Sequence, residues 1–402
     1  MVWQNQRPEV TGTNRSFCSM RIGINAVPLS RLQAGVARMI RCVIQELSAI
    51  DSENRYFLYS DRDFELPWEG DRWRKRISSP LPLLPGTLWV QTVGRRMILR
   101  DRLDVFWGTV DLLPLGLPSA VAKVLTVHDL TWPLHPEIVD LFGRCMFRLF
   151  LERSIRQADE LIAVSQSTAQ DLQRVFEVPD SKIEVIHHGV GPAYRPRERR
   201  ASAEHVANRY GVSKDYVLTV GTIVPHKNLV TLVEAMRILR GRGELPFQLL
   251  VVGAKSWKNA RLREAVRSSS LTEEDIRFLG FVSEEDLPVL YSAACAFVFP
   301  SLYEGFGLPL VEAMACGVPI VASNISSVPE VVGGAALLVP PTQPAAFAEA
   351  ILRVRSDKDL RRMMIEKGLR RAACFRWDKA ARRLLECMRN VVTEKHSERR
   401  QS

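Results

Sequence analysis

Two separate series of alternating strand and helix patterns constrain the fold of this chain most strongly. In the first series, the run Arg21–Asn25 has strand character, and apolar residues between Val36 and Leu47 then recur at helical spacing. Further strand patterns lie at 55–59, 104–107, 121–127, 160–164 and 183–186, with helical patterns at about 137–156 and 166–176. Strands that alternate with helices form parallel sheets, so the sequence predicts a doubly wound α/β domain.

A second series follows a segment with few apolar residues. Between Gly189 and Asp215 the chain has two prolines and a basic run, which are typical of a domain junction. The new strand patterns lie at 216–220, 247–252, 276–281, 296–300 and 319–323, and the helical patterns lie at 228–240, 284–293 and 309–316. A second doubly wound α/β domain is therefore predicted.

The length of the chain also favours two domains. Its 402 residues exceed the roughly 250–300 at which single hydrophobic cores stop growing. The predicted organisation is a disordered extension at 1–20, a first domain at 21–192, a linker at 193–215, a second domain at 216–375, a C-terminal helix at 376–394 and a disordered tail at 395–402. Because Met20 directly precedes the first strand pattern, residues 1–19 need not belong to the native chain.

The composition indicates a soluble globular protein. Hydrophobic residues make up 46% and charged residues 25% of the chain, close to the globular average. No run approaches about 18 consecutive apolar residues, so no spanning helix is expected. The chain opens without the apolar core of a signal peptide, and its seven cysteines form no CxxC pair. We therefore expect a cytoplasmic protein with reduced thiols.

The net charge of +10 is compatible with nucleic acid, an anionic membrane surface or phosphorylated substrates. A basic nucleic-acid-binding protein is the non-enzyme alternative. The sequence does not support this alternative, because it has no zinc-ligand spacing, no aromatic RNA-binding motif and no helix-turn-helix pattern. A dehydrogenase is one enzyme alternative, but the strand ends lack GxGxxG.

The run from Phe299 to Gly317 carries the clearest chemical signal. It follows a strand pattern and opens a helix, and Gly305 and Gly307 let the backbone approach a ligand closely. Free amides and the helix dipole at such a junction bind anions. Glu304 on the loop and Glu312 on the helix are predicted to flank this site and to accept hydrogen bonds from sugar and ribose hydroxyls. The alternative is a left-handed turn in which Glu312 serves only the helix dipole.

The sequence here resembles the retaining glycosyltransferases of family 4, of the mannosyltransferase-like subgroup. The run PSLYEGFGLPLVEAMACGVPIVAS at 300–323 matches that family's signature. Further matching segments between about 21 and 390 are RIGINAVPL at 21–29, TVHDL at 126–130, AVSQSTAQDL at 163–172, VIHHGV at 185–190, LTVGTIVPHKNL at 218–229 and VPEVVGGAALLVP at 328–340. The resemblance implies the GT-B fold, with two Rossmann-like domains across a cleft and a last helix, at 376–394, that crosses back to the first domain.

The resemblance also assigns roles to particular residues. It implies that His128 faces the donor sugar and is catalytic together with Glu304. The donor-binding residues that it implies are Thr222, His226, Lys227, Gly305, Phe306, Gly307, Leu308 and Glu312. Gly35 belongs to a glycine loop that closes over the donor and acceptor side.

The sequence leaves simpler roles open for several of these residues. A strand-end histidine such as His128 is often a structural hydrogen-bonding residue, a lysine before a helix such as Lys227 is often solvated, and Gly35 fits a flexible turn. The sequence also departs from the family, because Thr222 stands where many members carry arginine, and His226 stands where a related subgroup has arginine before the lysine. The bidentate phosphate clamp of the family is therefore missing from the motif.

The implied activity is retaining transfer of a hexose, with mannose favoured, from a nucleotide diphosphate sugar to a saccharide or polyprenyl-linked acceptor in lipopolysaccharide or other surface polysaccharide biosynthesis. GDP-mannose is the first expected donor and UDP-glucose the second. No cofactor and no metal are expected, because the chain has no DxD-type pair beside a phosphate cleft. A sugar-nucleotide epimerase of the same GT-B shape is the alternative enzyme.

The segment Leu141–Arg156 combines apolar and basic residues and could contact an anionic membrane peripherally. Four further arginines, Arg95, Arg96, Arg100 and Arg102, could extend that surface. The alternative is a core helix with a solvated basic face. The expected location is the cytoplasm. If the segment binds a membrane, we expect that contact to be peripheral and on the inner face.

Overall fold

The computed structural model describes residues 19–31, 35–66, 68, 70–78, 85–135, 141–254 and 260–401. Its first sheet has seven strands: β1 Arg21–Asn25, β2 Arg55–Ser60, β3 Trp73–Ile77, β4 Val105–Gly108, β5 Ala122–Val127, β6 Glu160–Ala163 and β7 Ile183–Val185. Their order is β3-β2-β1-β4-β5-β6-β7, and every pairing is parallel. The central strands are apolar along nearly their whole length because helices cover both faces of the sheet.

The second sheet has six parallel strands: β8 Tyr216–Val220, β9 Gln248–Val252, β10 Ile276–Gly280, β11 Ala296–Phe299, β12 Ile320–Ser323 and β13 Ala336–Val339. Their order is β10-β9-β8-β11-β12-β13. The strand order reverses between β8 and β11, and ligands of open α/β sheets bind outside the carboxyl ends of strands at such a point. The two doubly wound domains predicted from the sequence are thus confirmed.

The helices of the first domain are α1 Gly35–Ile50, α2 Gly86–Trp89, α3 Arg95–Arg100, α4 Thr131–Leu134, α5 Leu141–Gln157 and α6 Gln166–Phe176. The later helices are α7 Arg199–Tyr210, α8 Leu229–Gly241, α9 Ala260–Ser268, α10 Leu287–Ala293, α11 Leu308–Ala315, α12 Val328–Val332, α13 Pro344–Ser356, α14 Lys358–Ala372 and α15 Trp377–Gln401. The apolar stripe of α1 that the sequence predicts, including Met39, Ile40 and Leu47, is buried.

The last helix, α15, packs on the first domain. Trp377 and Met388 are buried in one cluster with Ile22 of β1 and Ile44 of α1. Gly189 permits the crossing, because a Cβ there would lie 2.3 Å from the amide nitrogen of Trp377. The predicted crossover helix is therefore present, with Trp377 as a packing residue.

Two segments differ from the sequence prediction. The expected disordered tail at 395–402 is helical through Gln401, since Lys395 forms an ion pair with Asp159 at 2.9 Å and donates to the carbonyl oxygen of Ser119 at 3.1 Å. The predicted linker at 193–215 contains α7, whose Val206 is buried in a core of the second domain. Most of the predicted N-terminal extension, residues 1–18, lies outside the described residues, whereas Met20 is buried.

Candidate active site

The glycine loop between β11 and α11 lies against the end of β5 in the first domain. A Cβ on Gly305 would lie 1.7 Å from the carbonyl oxygen of His128, so only a glycine allows this approach. Ser165 donates a hydrogen bond to the carbonyl oxygen of Gly305 at 2.6 Å, in addition to capping α6 by accepting from the amide of Thr168. The loop is thus fixed against both the His128 and the Ser165 segments.

The same loop presents amide groups at the start of α11. Gly307 is the N-cap and has a φ of 91°, a left-handed conformation that favours glycine. The hydroxyl of Ser327 fixes the loop by donating hydrogen bonds to the carbonyl oxygens of Glu304 at 2.9 Å and Phe306 at 3.1 Å. Within the described part of the chain, the amides of residues 305, 306 and 307 have no acceptor. These amides and the helix N-terminus can bind an anion.

Lys227 and Glu304 form an ion pair beside these amides. The Nζ atom of Lys227 lies 2.5 Å from Oε1 of Glu304, and the two side chains are only 20% and 10% exposed. They meet because Lys227 follows β8 and Glu304 follows β11, which are adjacent strands. Asn228 ties the two loops together by donating to the carbonyl oxygen of Pro300 at 2.9 Å. Lys227 is therefore an ion-paired and largely buried lysine rather than the solvated one of the alternative interpretation, and its role in binding a donor stays a prediction.

His128 is held by its own domain through two hydrogen bonds. Its amide donates to Asp111 at 2.8 Å, and Nε2 lies 2.8 Å from the carbonyl oxygen of Thr109. A carbonyl oxygen only accepts, so Nε2 carries the proton. Burial lowers the pKa of His128 below its usual value. The ring is therefore neutral at pH 7, and its Nδ1 atom is an acceptor.

The carboxyl group of Asp111 is perturbed as well. Burial and the nearby charge of Asp129 raise the pKa of Asp111 to about 8, against the opposing effect of the hydrogen bond from the His128 amide. At this end of the first domain the His128 ring is therefore neutral, and the Asp111 carboxyl group that accepts from its amide is largely protonated at pH 7.

Glu312 is placed differently from the prediction that two carboxylates flank one pocket. Its side chain is buried; Arg38 of α1 donates to its Oε1, and the hydroxyl of Tyr291 donates to its Oε2 at 3.0 Å. Burial raises the pKa of Glu312, and Arg38 and Tyr291 oppose that rise. Glu312 thus lies in a contact between the domains rather than on an open wall beside Glu304.

The predicted donor-binding residues after β8 lie near two unpaired polar atoms. Among the described residues, neither the buried Nδ1 of His226 nor the buried Oγ of Ser301 has a hydrogen-bond partner. Ser301 also lines a small cavity of about 10 Å³ together with Gly221 and Lys227. Burial and Lys227 lower the pKa of His226, so it would meet a diphosphate as a neutral group rather than as a cation. Thr222 is exposed at the same edge of the sheet.

The glycine that begins α1 also lies at the site. A Cβ on Gly35 would lie 3.4 Å from Cδ1 of Leu308, at the start of α11. Residues 32–34, which precede Gly35, lie outside the described residues. The side chain of Phe306 is buried and packs edge-on against His188, with ring centroids 5.0 Å apart. Phe306 therefore offers its backbone, rather than its ring, to a ligand.

The proposed membrane segment is a helix whose second half packs into the core. Leu151 and Ile155 are buried in the core of the first domain, as the core-helix alternative predicts. Arg148 is exposed, and Leu149 is 45% exposed. The side chains of 141–143 and 145–147 lie outside the described residues. Nowhere in the described chain does a helix combine the length and apolar character needed to cross a bilayer.

The residues that hold the predicted site residues in place have no signal in the sequence. Arg38 on Glu312, Ser327 under the glycine loop and Asp111 under His128 carry no motif of their own. Their roles depend on contacts between distant parts of the chain, and the separation of Arg38 and Glu312 is 274 residues. Ser301 lies within the signature run, yet its type alone does not distinguish a structural serine from a ligand-binding one.

Two facing Rossmann-like domains, a crossover C-terminal helix and a site in the cleft define the GT-B class of glycosyltransferases. The family models agree: residues 34–194 match Glycosyltransferase Family 4, and residues 203–371 match Glycosyl transferases group 1. The O-antigen chain mannosyltransferase B of Escherichia coli is 35% identical over 282 residues, which are 70% of this chain and 73% of that protein. The chain belongs to glycosyltransferase family 4 and is a glycosyltransferase.

Other known proteins are similar to the chain over different extents. The serotype-specific mannosyltransferase WbdA of Escherichia coli is 28% identical over 71% of this chain, which spans only 36% of that longer protein. The structure of sucrose-phosphate synthase from Thermosynechococcus elongatus matches with a TM-score of 0.74 at 22% identity and covers 93% of this chain and 100% of that one. Anabaena HepE in complex with UDP and glucose matches with a TM-score of 0.70 at 17% identity, over 92% of this chain and 99% of that one. These structural matches concern the fold.

Proposed function

We propose that the protein is a retaining hexosyltransferase that moves mannose from a nucleotide diphosphate sugar to a hydroxyl of a saccharide or lipid-linked saccharide during surface polysaccharide biosynthesis. The pair of Lys227 and Glu304 beside the free amides at 305–307 carries this proposal. A diphosphate needs a cation and convergent N–H donors, and a hexose needs a carboxylate that accepts from its hydroxyls. The site offers all three within one loop cluster.

Donor binding would exchange the partners of this ion pair. A diphosphate at the start of α11 would compete with Glu304 for the ammonium group of Lys227. The carboxylate would then be released to accept hydrogen bonds from the sugar. The unpaired Nδ1 of His226 and Oγ of Ser301 are further polar groups that a bound donor could satisfy. These contacts would partly replace the arginine that the motif lacks.

We infer a front-face transfer in which the bond from the anomeric carbon to the diphosphate breaks on the same face where the acceptor oxygen attacks. The departing diphosphate takes up the proton of the acceptor hydroxyl, so no protein nucleophile is needed. His128 is neutral, and its backbone carbonyl lies at the glycine loop. It would stabilise positive charge at the anomeric carbon through that carbonyl or through hydrogen bonding, while Lys227 and the loop amides stabilise the leaving group.

The names of the relatives favour mannose and polysaccharide substrates. Two similar proteins are O-antigen or serotype-specific mannosyltransferases. GDP-mannose is accordingly the first donor to test. UDP-glucose is the second, and the fold shared with a protein that was crystallised with UDP and glucose supports including it.

Catalysis without a metal or other cofactor is part of the proposal. The amides at 305–307, the N-terminus of α11 and Lys227 can compensate the charge of a diphosphate. The proposed location is cytoplasmic, and the exposed Arg148 and Leu149 on α5 support peripheral contact with an anionic membrane. Nucleic acid is not a proposed partner.

Incubation with radiolabelled GDP-mannose or UDP-glucose and a polyprenyl-linked saccharide tests the function. Label that moves into the lipid fraction supports the transferase. Label that stays in the nucleotide sugar but changes its sugar identity indicates the alternative epimerase. A lack of both reactions and of nucleotide binding would contradict the proposal. Glu304→Gln serves as the inactive control, since it preserves the shape of the carboxylate and removes its charge.

A further inference from the structure

An ion pair between Arg38 and Glu312 joins the two domains beside the glycine loop. Arg38 lies on α1, three residues after Gly35, and Glu312 lies on α11, four residues after Leu308. Gly35 and Leu308 themselves approach each other, so the first turns of the two helices are neighbours. Arg38 is also paired with Glu284 at 3.1 Å. The contact therefore forms only when the domains are close.

Because Glu312 is buried, its ionisation depends on the charged and polar groups that contact it. The carboxylate is almost entirely shielded from solvent, with 4% of the side chain exposed. A buried carboxylate without a cation is costly and takes up a proton instead. Among the described residues, the other titratable groups that act on it are Glu284, Tyr291, Tyr194 and Cys316, none of which carries a positive charge. In the part of the chain that the structure describes, Arg38 is the cation in contact with Glu312, and it comes from the opposite domain.

We propose that Arg38 is a positioning residue for donor binding: it keeps the Glu312 carboxylate ionised and oriented for the ribose hydroxyls of the nucleotide. The inference rests on the proposed function, because only a nucleotide donor brings a ribose to Glu312. An ionised carboxylate has about four acceptor positions. Arg38 uses one on Oε1 and Tyr291 uses one on Oε2, and the Tyr194 hydroxyl also faces the carboxylate, so one or two of the four positions stay open for the hydroxyls of a ribose diol.

Loss of the guanidinium group should change the pH dependence of donor binding. Burial raises the pKa of Glu312, and the charge of Arg38 is the strongest effect that opposes the rise. Without Arg38 the carboxyl group would take up its proton at a higher pH than in the wild type. A protonated carboxyl has fewer acceptor positions and carries no charge. Donor binding should therefore weaken as pH falls and recover as pH rises.

The test compares steady-state kinetics of the full chain for GDP-mannose, with UDP-glucose as the second donor, between pH 5.5 and 9. In Arg38→Met the donor KM near pH 7 should rise about tenfold or more, within the usual range of coupling between sites. The kcat should change much less, and the KM should approach that of the wild type as pH rises. Arg38→Lys keeps the charge and should lie between the two. Arg41→Met is the matched control, since Arg41 is an exposed residue on the same helix.

Each outcome decides the matter. A KM in Arg38→Met that is unchanged, or raised equally at every pH, would overturn the role of Arg38 while leaving the proposed function intact. A lower KM would also overturn it, because Arg38 would then compete with the donor for Glu312. A wild-type protein that uses neither donor would refute both proposals together. If thermal unfolding shows that Arg38→Met does not fold, Arg38→Gln, which keeps a donor but loses the charge, provides the same comparison.

Discussion

Substitution of Gly305 by alanine should disable the enzyme through one contact. The new Cβ would lie 1.7 Å from the carbonyl oxygen of His128, 2.8 Å from its carbonyl carbon and 2.9 Å from Cβ of Asp129. Because Cβ contacts below 3.0 Å essentially do not occur, the loop and the end of β5 must separate by at least 1.3 Å, the difference between 3.0 and 1.7 Å. No side-chain rotation relieves the clash, since the oxygen belongs to the backbone.

A displacement of this size should lower activity severely. Misplacement of catalytic groups by about 1 Å can cost about 100-fold in rate. We therefore expect kcat of Gly305→Ala to fall about 100-fold. The backbone of Gly305 is not in the left-handed region, so the new contact, rather than backbone strain, causes the effect. The second domain should still fold, because its core does not include this contact.

The assay is steady-state hexose transfer combined with thermal unfolding. Gly241→Ala is the matched control, because a Cβ at that position of α8 meets no atom of the described residues within 4 Å apart from its chain neighbours and the backbone of its own helix. The control should keep wild-type kinetics and unfold at a similar or slightly higher temperature. Gly305→Ala with wild-type kcat and KM would refute the reasoning, since the loop would then not need its close approach to His128 for catalysis.

Three further predictions concern catalysis and stability. Glu304→Ala should lower kcat about 10²–10³-fold, whereas Glu312→Ala should mainly raise the donor KM. Both variants should keep native circular dichroism. Wild-type turnover in Glu304→Ala would show that Glu304 has no catalytic role. EDTA should leave the rate unchanged, and complete inhibition that Mn²⁺ or Mg²⁺ reverses would disprove metal independence. The folded-state pKa of Asp111 is raised to about 8, above the unfolded value of about 4, so the wild type should lose stability as pH rises between these values. The melting temperature of Asp111→Asn minus that of the wild type should therefore increase from pH 5 to pH 8 and then stay constant. A difference that does not change with pH would contradict the raised pKa of Asp111.

Most of the fold could be predicted from the sequence because buried parallel strands are apolar runs. The sequence pattern does not predict the strand β3. Its sequence WRKRI has three basic residues, and the strand lies at the edge of the sheet. The helix α7 was also missed, because of its twelve residues only Ser202 and Val206 are buried. In both cases the periodic apolar signal is weak, and contacts with the rest of the domain determine the structure.

The candidate site was predictable where adjacent strands bring motifs together. Lys227 and Glu304 follow neighbouring strands of one sheet, so their proximity follows from the topology. The contact of Gly305 with His128 and that of Arg38 with Glu312 join different domains, and no local pattern encodes how two domains face each other. The roles of Thr222, His226 and Gly35 stay predictions, although each lies at the edge of the cleft where the resemblance places it.

The anomeric configuration of the product tests the central claim most directly. NMR spectroscopy of the saccharide formed from GDP-mannose, whose sugar is α-linked, measures the one-bond C1–H1 coupling at the new linkage. We predict an α-linked product, because in a front-face transfer the acceptor attacks on the face that the diphosphate leaves. A β-linked product would contradict retaining transfer at this site.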